Sequence, residues 1–110
     1  MRYVNWIAWI KVNPMIACTS TLKIQTGKTG EFETLVAAVT AKVRANEPGN
    51  VLYQLTNSRV NDHTYRFLEL YKDQEAFTRH GQTEDYKDMM NKVGSLLAAA
   101  PNVEMFDTVG

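Results

Sequence analysis

Apolar and polar residues alternate in two segments near the middle of the chain, at residues 51–56 and 64–71. A period of two is typical of β-strands, and the polar residues 57–63 between the segments suit a hairpin connection. Alternate residues of the second segment point to one face of the predicted strand. That face carries Tyr65, Phe67, Glu69 and Tyr71. A carboxylate among three aromatic rings is unusual in a plain core, so this face is a candidate site.

Apolar residues at spacings of three and four predict helices on either side of this hairpin. Residues 31–46 carry one apolar stripe, which consists of Phe32, Leu35, Val36, Val39 and Val43. Further along, Asp73 and Thr83 suit helix N-caps, because their side-chain oxygens can accept from the free amides of a first helical turn. They predict a short helix that ends near Gly81 and a longer helix over residues 83–100.

Two more alternating segments, residues 17–25 and 103–109, predict a first and a last strand. The order is then β-α-β-β-α-β, the ferredoxin-like arrangement of α+β proteins, with helices on one face of an antiparallel sheet. Alternation sends some apolar strand residues to the other face. The residues in question are Leu52, Leu68, Leu70, Val103 and Met105. We therefore expect a homodimer, a dimeric α+β barrel, with a pocket in each protomer between sheet and helices.

Composition restricts the classes of function. A length of 110 residues fits one domain, and twelve basic residues balance twelve acidic ones, so a nucleic-acid partner is not expected. The single cysteine, Cys18, excludes an intrachain disulfide, and no cysteine–histidine cluster has the spacing of zinc ligands. We expect a cytoplasmic protein without a metal site.

Residues 1–14 form an apolar N-terminal arm that contains both tryptophans, Trp6 and Trp9. Its apolar run of about ten residues is half of the ~20 that a membrane-spanning helix needs. The arm also lacks the basic start and cleavage site of a signal peptide, so neither membrane insertion nor secretion is expected. Because burying two indole rings is favourable, we expect the arm to dock on the dimer and the domain to cover residues 15–110. A start at Met15 is the alternative.

The segment from Glu47 to Lys87 resembles the antibiotic biosynthesis monooxygenase domains, a family of dimeric α+β barrels. The resemblance is carried by Glu47-Pro48-Gly49, Glu69-Leu70-Tyr71, Lys72-Asp73, Glu75-Ala76-Phe77, His80 and residues 83–87. It implies one of three activities: cofactor-free oxygenation of phenolic or anthrone-like molecules, haem degradation, or isomerase-like processing of a phosphorylated quorum-sensing signal. Many similar domains have no known activity.

This sequence differs from the haem-degrading branch at three positions, and these differences concern the binding of haem. That branch has a tryptophan at the strand end, an asparagine on the first strand and a haem-ligating histidine on the last helix. The matching positions here are Tyr71, Ser20 and a predicted helix, residues 83–100, without histidine. The resemblance therefore implies no haem, and we expect no other cofactor.

His80 is the natural candidate for a general base, because an unperturbed imidazole has a pKa of about 6.5, near working pH. Tyrosine hydroxyls could orient a phenol or an enolate oxygen. The catalytic candidates are His80, Tyr71 and Tyr86, and the substrate-binding candidates are Tyr53, Ser20, Phe67 and Glu69. Structural roles are the alternatives: His80 in a last helical turn, where the dipole favours a charged ring, and Glu69 as a hydrogen-bond acceptor.

These residues predict a cofactor-independent monooxygenase that acts on a small, electron-rich, phenolic or quinol-like molecule. An isomerase of the signal-processing branch is the first alternative, since it needs the same base without oxygen. A dimeric ligand-binding protein without catalytic activity is the second.

Overall fold

The computed structural model describes residues 14–109, so the predicted arm lies outside the described residues apart from Pro14. Four strands and three helices follow one another along the chain. They are β1 (Ile16–Lys23), α1 (Thr29–Asn46), β2 (Asn50–Asn57), β3 (Thr64–Tyr71), α2 (Gln74–Gln82), α3 (Glu84–Gly94) and β4 (Asn102–Asp107). The strands form one antiparallel sheet in the order β2-β3-β1-β4. The α+β, ferredoxin-like prediction is confirmed.

The helices lie where the sequence pattern predicts. The stripe of α1 is buried at Phe32, Val36, Val39 and Val43. Asp73 caps α2, because its side chain accepts a hydrogen bond of 2.8 Å from the Ala76 amide. Thr83 caps α3 in the same way, at 3.2 Å from the Tyr86 amide. Each such cap stabilises its helix by about 1 kcal/mol.

The predicted end of the last helix is wrong. Helix α3 ends at Gly94, not near residue 100. The next residues bond to the extension of β1: the Gln25 amide donates to the Leu96 carbonyl at 2.9 Å, and the Ala98 amide donates to Lys23 at 2.7 Å. These bonds use backbone groups that a continuing helix would need, while Leu96 still reaches the core at 2% exposure.

Strand register sorts the side chains into rows that run across the whole sheet, because directly paired residues point to the same face. One row faces the helices and contains Tyr53, Glu69, Cys18 and Met105. A neighbouring row on the outer face is entirely apolar and contains Leu52, Leu70, Ala17 and Phe106. We call these the helix-side row and the outer row. The helix-side row places a carboxylate at the centre of the covered face.

Most of the core lies between α1, α3 and the sheet. A smaller cluster of Ile16, Tyr71 and Ala76, with Phe77 against it, joins α2 to the ends of β1 and β3. The junction between these clusters contains the polar groups described below. Within residues 14–109, no helix is both long and apolar enough to cross a bilayer.

Candidate active site

His80 is buried in the last turn of α2, with 3% of its surface exposed. Three tyrosine rings from three elements surround its imidazole. The ring centroids lie 5.3 Å away for Tyr53 on β2, 5.4 Å for Tyr71 at the end of β3, and 4.9 Å for Tyr86 on α3. The result is a histidine enclosed by aromatic walls between sheet and helices.

One imidazole nitrogen of His80 is bound by a carboxylate. Nδ1 lies 2.9 Å from Glu47 Oε1 and 3.1 Å from Glu47 Oε2. Because an ionised carboxylate can only accept, Nδ1 carries a proton and donates it to Glu47. In the neutral ring, the lone pair is then on Nε2. Glu47 therefore orients the ring and selects its tautomer, as the carboxylate does in a catalytic triad.

The other nitrogen of His80 has no hydrogen-bond partner among residues 14–109. Nε2 is the one buried side-chain nitrogen or oxygen among the described residues that lacks a hydrogen bond. Its nearest carboxylate oxygen is Glu69 Oε1 at 4.0 Å, too far for a direct hydrogen bond. An unsatisfied buried polar group costs about 1–3 kcal/mol. A native protein retains such a group where it has a catalytic role or where it binds a water molecule or an ion.

Glu69 lies on the helix-side row, and Tyr71 donates a hydrogen bond of 2.6 Å to its Oε1. Burial raises the pKa of Glu69, and the Glu47 carboxylate adds to the rise, while Tyr71 and His80 oppose it. No lysine or arginine of the described chain forms an ion pair with Glu47 or Glu69. Among the described residues, the cluster thus contains two carboxyl groups and one imidazole, without a permanent cation.

The tyrosine hydroxyls around His80 remain protonated at neutral pH. Burial, followed by the nearby Glu69 carboxylate, raises the pKa of Tyr53, Tyr71 and Tyr86 above the ordinary value of 10.0. The rings of Tyr53 and Tyr86 thus bring two neutral phenolic groups to the surroundings of the imidazole.

Gly49 packs closely against helix α2, and this packing positions Glu47. A Cβ atom added at Gly49 would lie 2.5 Å from the Cβ of Ala76 on α2, far inside van der Waals contact. The Gly49 carbonyl also accepts a hydrogen bond of 2.9 Å from the Lys72 amide. The Glu47-Pro48-Gly49 junction therefore lies directly against α2, which brings the carboxylate to His80.

The predicted site residues fall into two groups. His80, Tyr71, Tyr86, Tyr53 and Glu69 meet around the imidazole. Phe67 and Ser20 pair with each other one row further along the sheet. Phe67 packs on Tyr53 at 5.2 Å in the main core, and Ser20 contacts Cys18 at 4.0 Å.

Sequence analysis did not identify Glu47 as a site residue. Its signal was its position directly before Pro48-Gly49, within the motif that carries the resemblance. Cys18 also lies beside the site, on the helix-side row, where burial and the Glu69 charge raise the pKa of its thiol.

The surface grooves described for residues 14–109 are not lined by His80. The larger described groove, of about 390 Å³, lies between α1 and β2 and is lined by Glu33, Val36, Ala37, Gln54, Leu55, Thr56, Asn57 and Tyr65. It does not reach His80.

Residues 14–109 contain no group of three or more side chains arranged to bind a metal ion. The chemistry available at the His80 cluster is acid–base: a lone pair held for a proton, beside neutral hydroxyl donors.

The chain is similar to one protein family and to several solved structures. The family model described as antibiotic biosynthesis monooxygenase matches residues 15–92. A solved structure from Caulobacter crescentus, named as a candidate antibiotic biosynthesis monooxygenase, is 38% identical, covers 96% of this chain and 99% of its own, and superposes with a TM-score of 0.86. No curated protein matches the chain.

More distant structures share the fold. A Nitrosomonas europaea protein with the same kind of name is 19% identical over 86% of this chain and 89% of its own, with a TM-score of 0.82. A Mycobacterium tuberculosis protein is 20% identical over 87% and 96%, with a TM-score of 0.81. Because the family model covers most of the residues and the first relative spans nearly all of them, the chain belongs to the antibiotic biosynthesis monooxygenase family.

Proposed function

We propose that this protein is a cofactor-independent monooxygenase that acts on a small, electron-rich molecule such as a quinol or an anthrone. The observation that carries the proposal is His80: its Nδ1 is bound by Glu47, and its Nε2 is buried without a partner in the part of the chain that the structure describes. Membership of the monooxygenase family supports the reaction class. A buried, oriented lone pair is what proton abstraction from such a substrate requires.

The reaction begins with the transfer of a proton from the substrate to His80 Nε2. The resulting anion is electron-rich enough to reduce dioxygen, and the hydroxyls of Tyr53 and Tyr86 can donate to its oxygen. For an anthrone-like methylene group, one oxygen atom becomes a ring carbonyl and the other leaves as water. The substrate supplies all four electrons, so no external reductant is needed.

Burial of the site favours this chemistry over proton transfer in water. Tyr71 is fully buried, and Tyr53 and His80 are almost so. A dry site strengthens the hydrogen bonds to the developing anion and protects reactive intermediates from side reactions. The aromatic walls also suit a flat, aromatic substrate, because offset ring stacking adds to the burial term.

The isomerase alternative uses the same base but receives less support from the electrostatics. A phosphorylated signal molecule would bring about two negative charges to a site that already contains the Glu47 carboxylate. No described lysine or arginine pairs with Glu47 or Glu69 to offset them. We therefore prefer an uncharged substrate and oxygen chemistry.

We also propose that a second copy of the chain covers the outer row. In the single chain, Leu52 is 41% exposed and Phe106 is 43% exposed, in one row with Leu70 and Ala17. Packing this row against its symmetry mate would complete the dimeric barrel that the sequence predicts, and it would remove apolar surface from water.

Oxygen uptake tests the proposed reaction. The wild-type protein is incubated with a panel of hydroquinones and anthrones in an oxygen electrode, and each mixture is repeated without oxygen to detect isomerisation. Uptake with at least one compound, with a hydroxylated or quinone product by mass spectrometry, is the expected result. Isomerised product in the anaerobic arm supports the isomerase instead. Binding without any turnover would indicate a ligand-binding protein.

A further inference from the structure

We propose that the carboxyl group of Glu69 is a second contact for the reacting substrate oxygen, which lies between it and His80 Nε2, so that the site selects neutral hydroxyaromatic molecules over anionic ones. This inference rests on the proposed function and extends it to the substrate class. It also assigns Glu69 a direct role, beyond that of a hydrogen-bond acceptor within the fold.

The space between His80 and Glu69 has the width that one bridging oxygen atom needs. Nε2 and Glu69 Oε1 are 4.0 Å apart. One oxygen atom at about 2.8 Å from each would satisfy both, since that is an ordinary hydrogen-bond length. A substrate hydroxyl in this position would give the buried Nε2 the partner that it lacks in the protein alone.

Glu69 cannot easily close the gap by itself. It lies on β3, which is hydrogen-bonded to a strand on both sides. Its Oε1 already accepts from Tyr71 at 2.6 Å, and Tyr53 and Cys18 are its partners across the strands. The carboxyl group is therefore held in place from both sides, and the bridging atom has to come from the substrate.

The charges around Glu69 select the substrate. The titratable groups that face it from the surrounding elements are Cys18 on β1, Tyr53 on β2, Tyr71 on β3, His80 on α2, Tyr86 on α3 and Glu47 at the end of α1. None is a permanent cation. A phosphate or carboxylate placed here would be desolvated without a cationic partner, which is costly.

A neutral substrate hydroxyl can form a hydrogen bond with both His80 Nε2 and Glu69. It donates its proton to Nε2 and accepts one from Glu69 in the protonated form, which burial favours. As the proton moves to Nε2, the oxygen becomes negative, and the hydrogen bond from the Glu69 carboxyl strengthens. A buried carboxylic acid can stabilise an oxyanion in this way.

Calorimetric titration with two matched probes tests the inference without turnover. The probes are p-cresol, which is neutral between pH 5 and 8, and p-tolyl phosphate, which has the same ring and an anionic head. We expect p-cresol to bind at least about tenfold more tightly to the wild-type protein. Equal affinity, tighter binding of the phosphate, or no binding of p-cresol at millimolar concentration would overturn the inference.

Two variants of Glu69 distinguish a direct contact with the ligand from a purely structural role. Glu69→Gln keeps a neutral donor, so it should bind p-cresol within about threefold of wild type, whereas Glu69→Ala should bind about tenfold more weakly. Wild-type affinity should fall as pH rises and Glu69 ionises, and Glu69→Gln should remove that fall. Glu31→Gln, at the exposed start of α1, is the matched control and should behave as wild type.

The outcomes also distinguish this inference from the proposed function. If Glu69→Gln shows the same pH dependence as wild type, Glu69 is not the contact, whatever the turnover. If the binding pattern is as expected but no compound of the panel consumes oxygen, the inference holds and the monooxygenase proposal is wrong.

Discussion

Glu47 binds Nδ1 of His80 through both carboxylate oxygens, at 2.9 and 3.1 Å, although 33 positions separate the two residues in the sequence. The contact joins the end of α1 to the last turn of α2. It leaves Nε2 as the free nitrogen of the imidazole and directs it towards Glu69. The orientation of the proposed base thus depends on a residue bound to the other nitrogen of the ring.

Glu47→Gln should reduce turnover more than it reduces substrate binding. A carboxamide can donate to Nδ1 as well as accept from it, so the ring no longer has a single favoured tautomer. We expect kcat to fall by about 10- to 100-fold with a smaller change in KM. Nitrogen NMR of labelled histidine should show the loss of the Nδ1–H tautomer. An unchanged tautomer with unchanged kcat would show that Glu47 has no positioning role.

Gly49→Ala should destabilise the fold and disturb the site together. Its Cβ would lie 2.5 Å from that of Ala76, so the Glu47 junction and α2 must move apart. We expect a loss of about 1–3 kcal/mol in the free energy of unfolding, measured with urea. Gly30→Ala is the matched control, because nothing lies within 4 Å of its added Cβ. A cost as small as that of the control would contradict the packing described for Gly49.

Glu69→Gln should become more stable relative to wild type as pH rises. Burial raises the pKa of Glu69 above its ordinary value of 4.5, so the folded state binds the proton more tightly than the unfolded state. The stabilisation from this proton is fully present below about pH 4.5 and is lost as pH rises through the folded pKa.

The glutamine variant cannot lose a proton and escapes this loss. Its free energy of unfolding relative to wild type should therefore rise between pH 4 and pH 8. Urea titrations of both proteins at several pH values measure it, with Glu31→Gln as control. A constant difference across this range would mean that Glu69 is no harder to ionise in the folded protein.

Phe106→Asp should prevent the proposed dimer. The substitution places a charge in the outer row, where a second copy would bury it unpaired. Wild-type protein is expected to have twice the chain mass by light scattering at micromolar concentration, and the variant the single mass. Val60→Asp adds the same charge in a loop at 97% exposure and should remain dimeric. A monomeric wild-type protein would refute the dimer.

Local patterns predicted most of the fold. Strand β3 has the predicted bounds, because its strict alternation leaves one register with the aromatic residues inside. The same alternation placed Glu69 on the covered face. The end of α3 was missed because Leu96 and Leu97 continue the apolar period of the helix, while their backbone instead pairs with the region after β1.

Local sequence patterns predicted less of the site than of the fold. Periodicity cannot predict which carboxylate meets His80, since that depends on how α1 ends and on how closely the loop approaches α2. Glu47 was therefore missed, although it lies closer to the imidazole than Glu69 does. The resemblance to the family singled out the correct segment, and the geometry then showed which of its residues meet.

The comparison of His80→Ala with His63→Ala tests the central claim most directly. His63 has a partly exposed side chain that pairs with Asp62, away from the three tyrosine rings around His80. Its replacement therefore controls for the loss of an imidazole. With a substrate from the quinol and anthrone panel, kcat/KM for oxygen consumption should fall by at least about 100-fold in His80→Ala and remain unchanged in His63→Ala. Equal rates of oxygen consumption in the wild-type protein and in folded His80→Ala would contradict the assignment of His80 as the base.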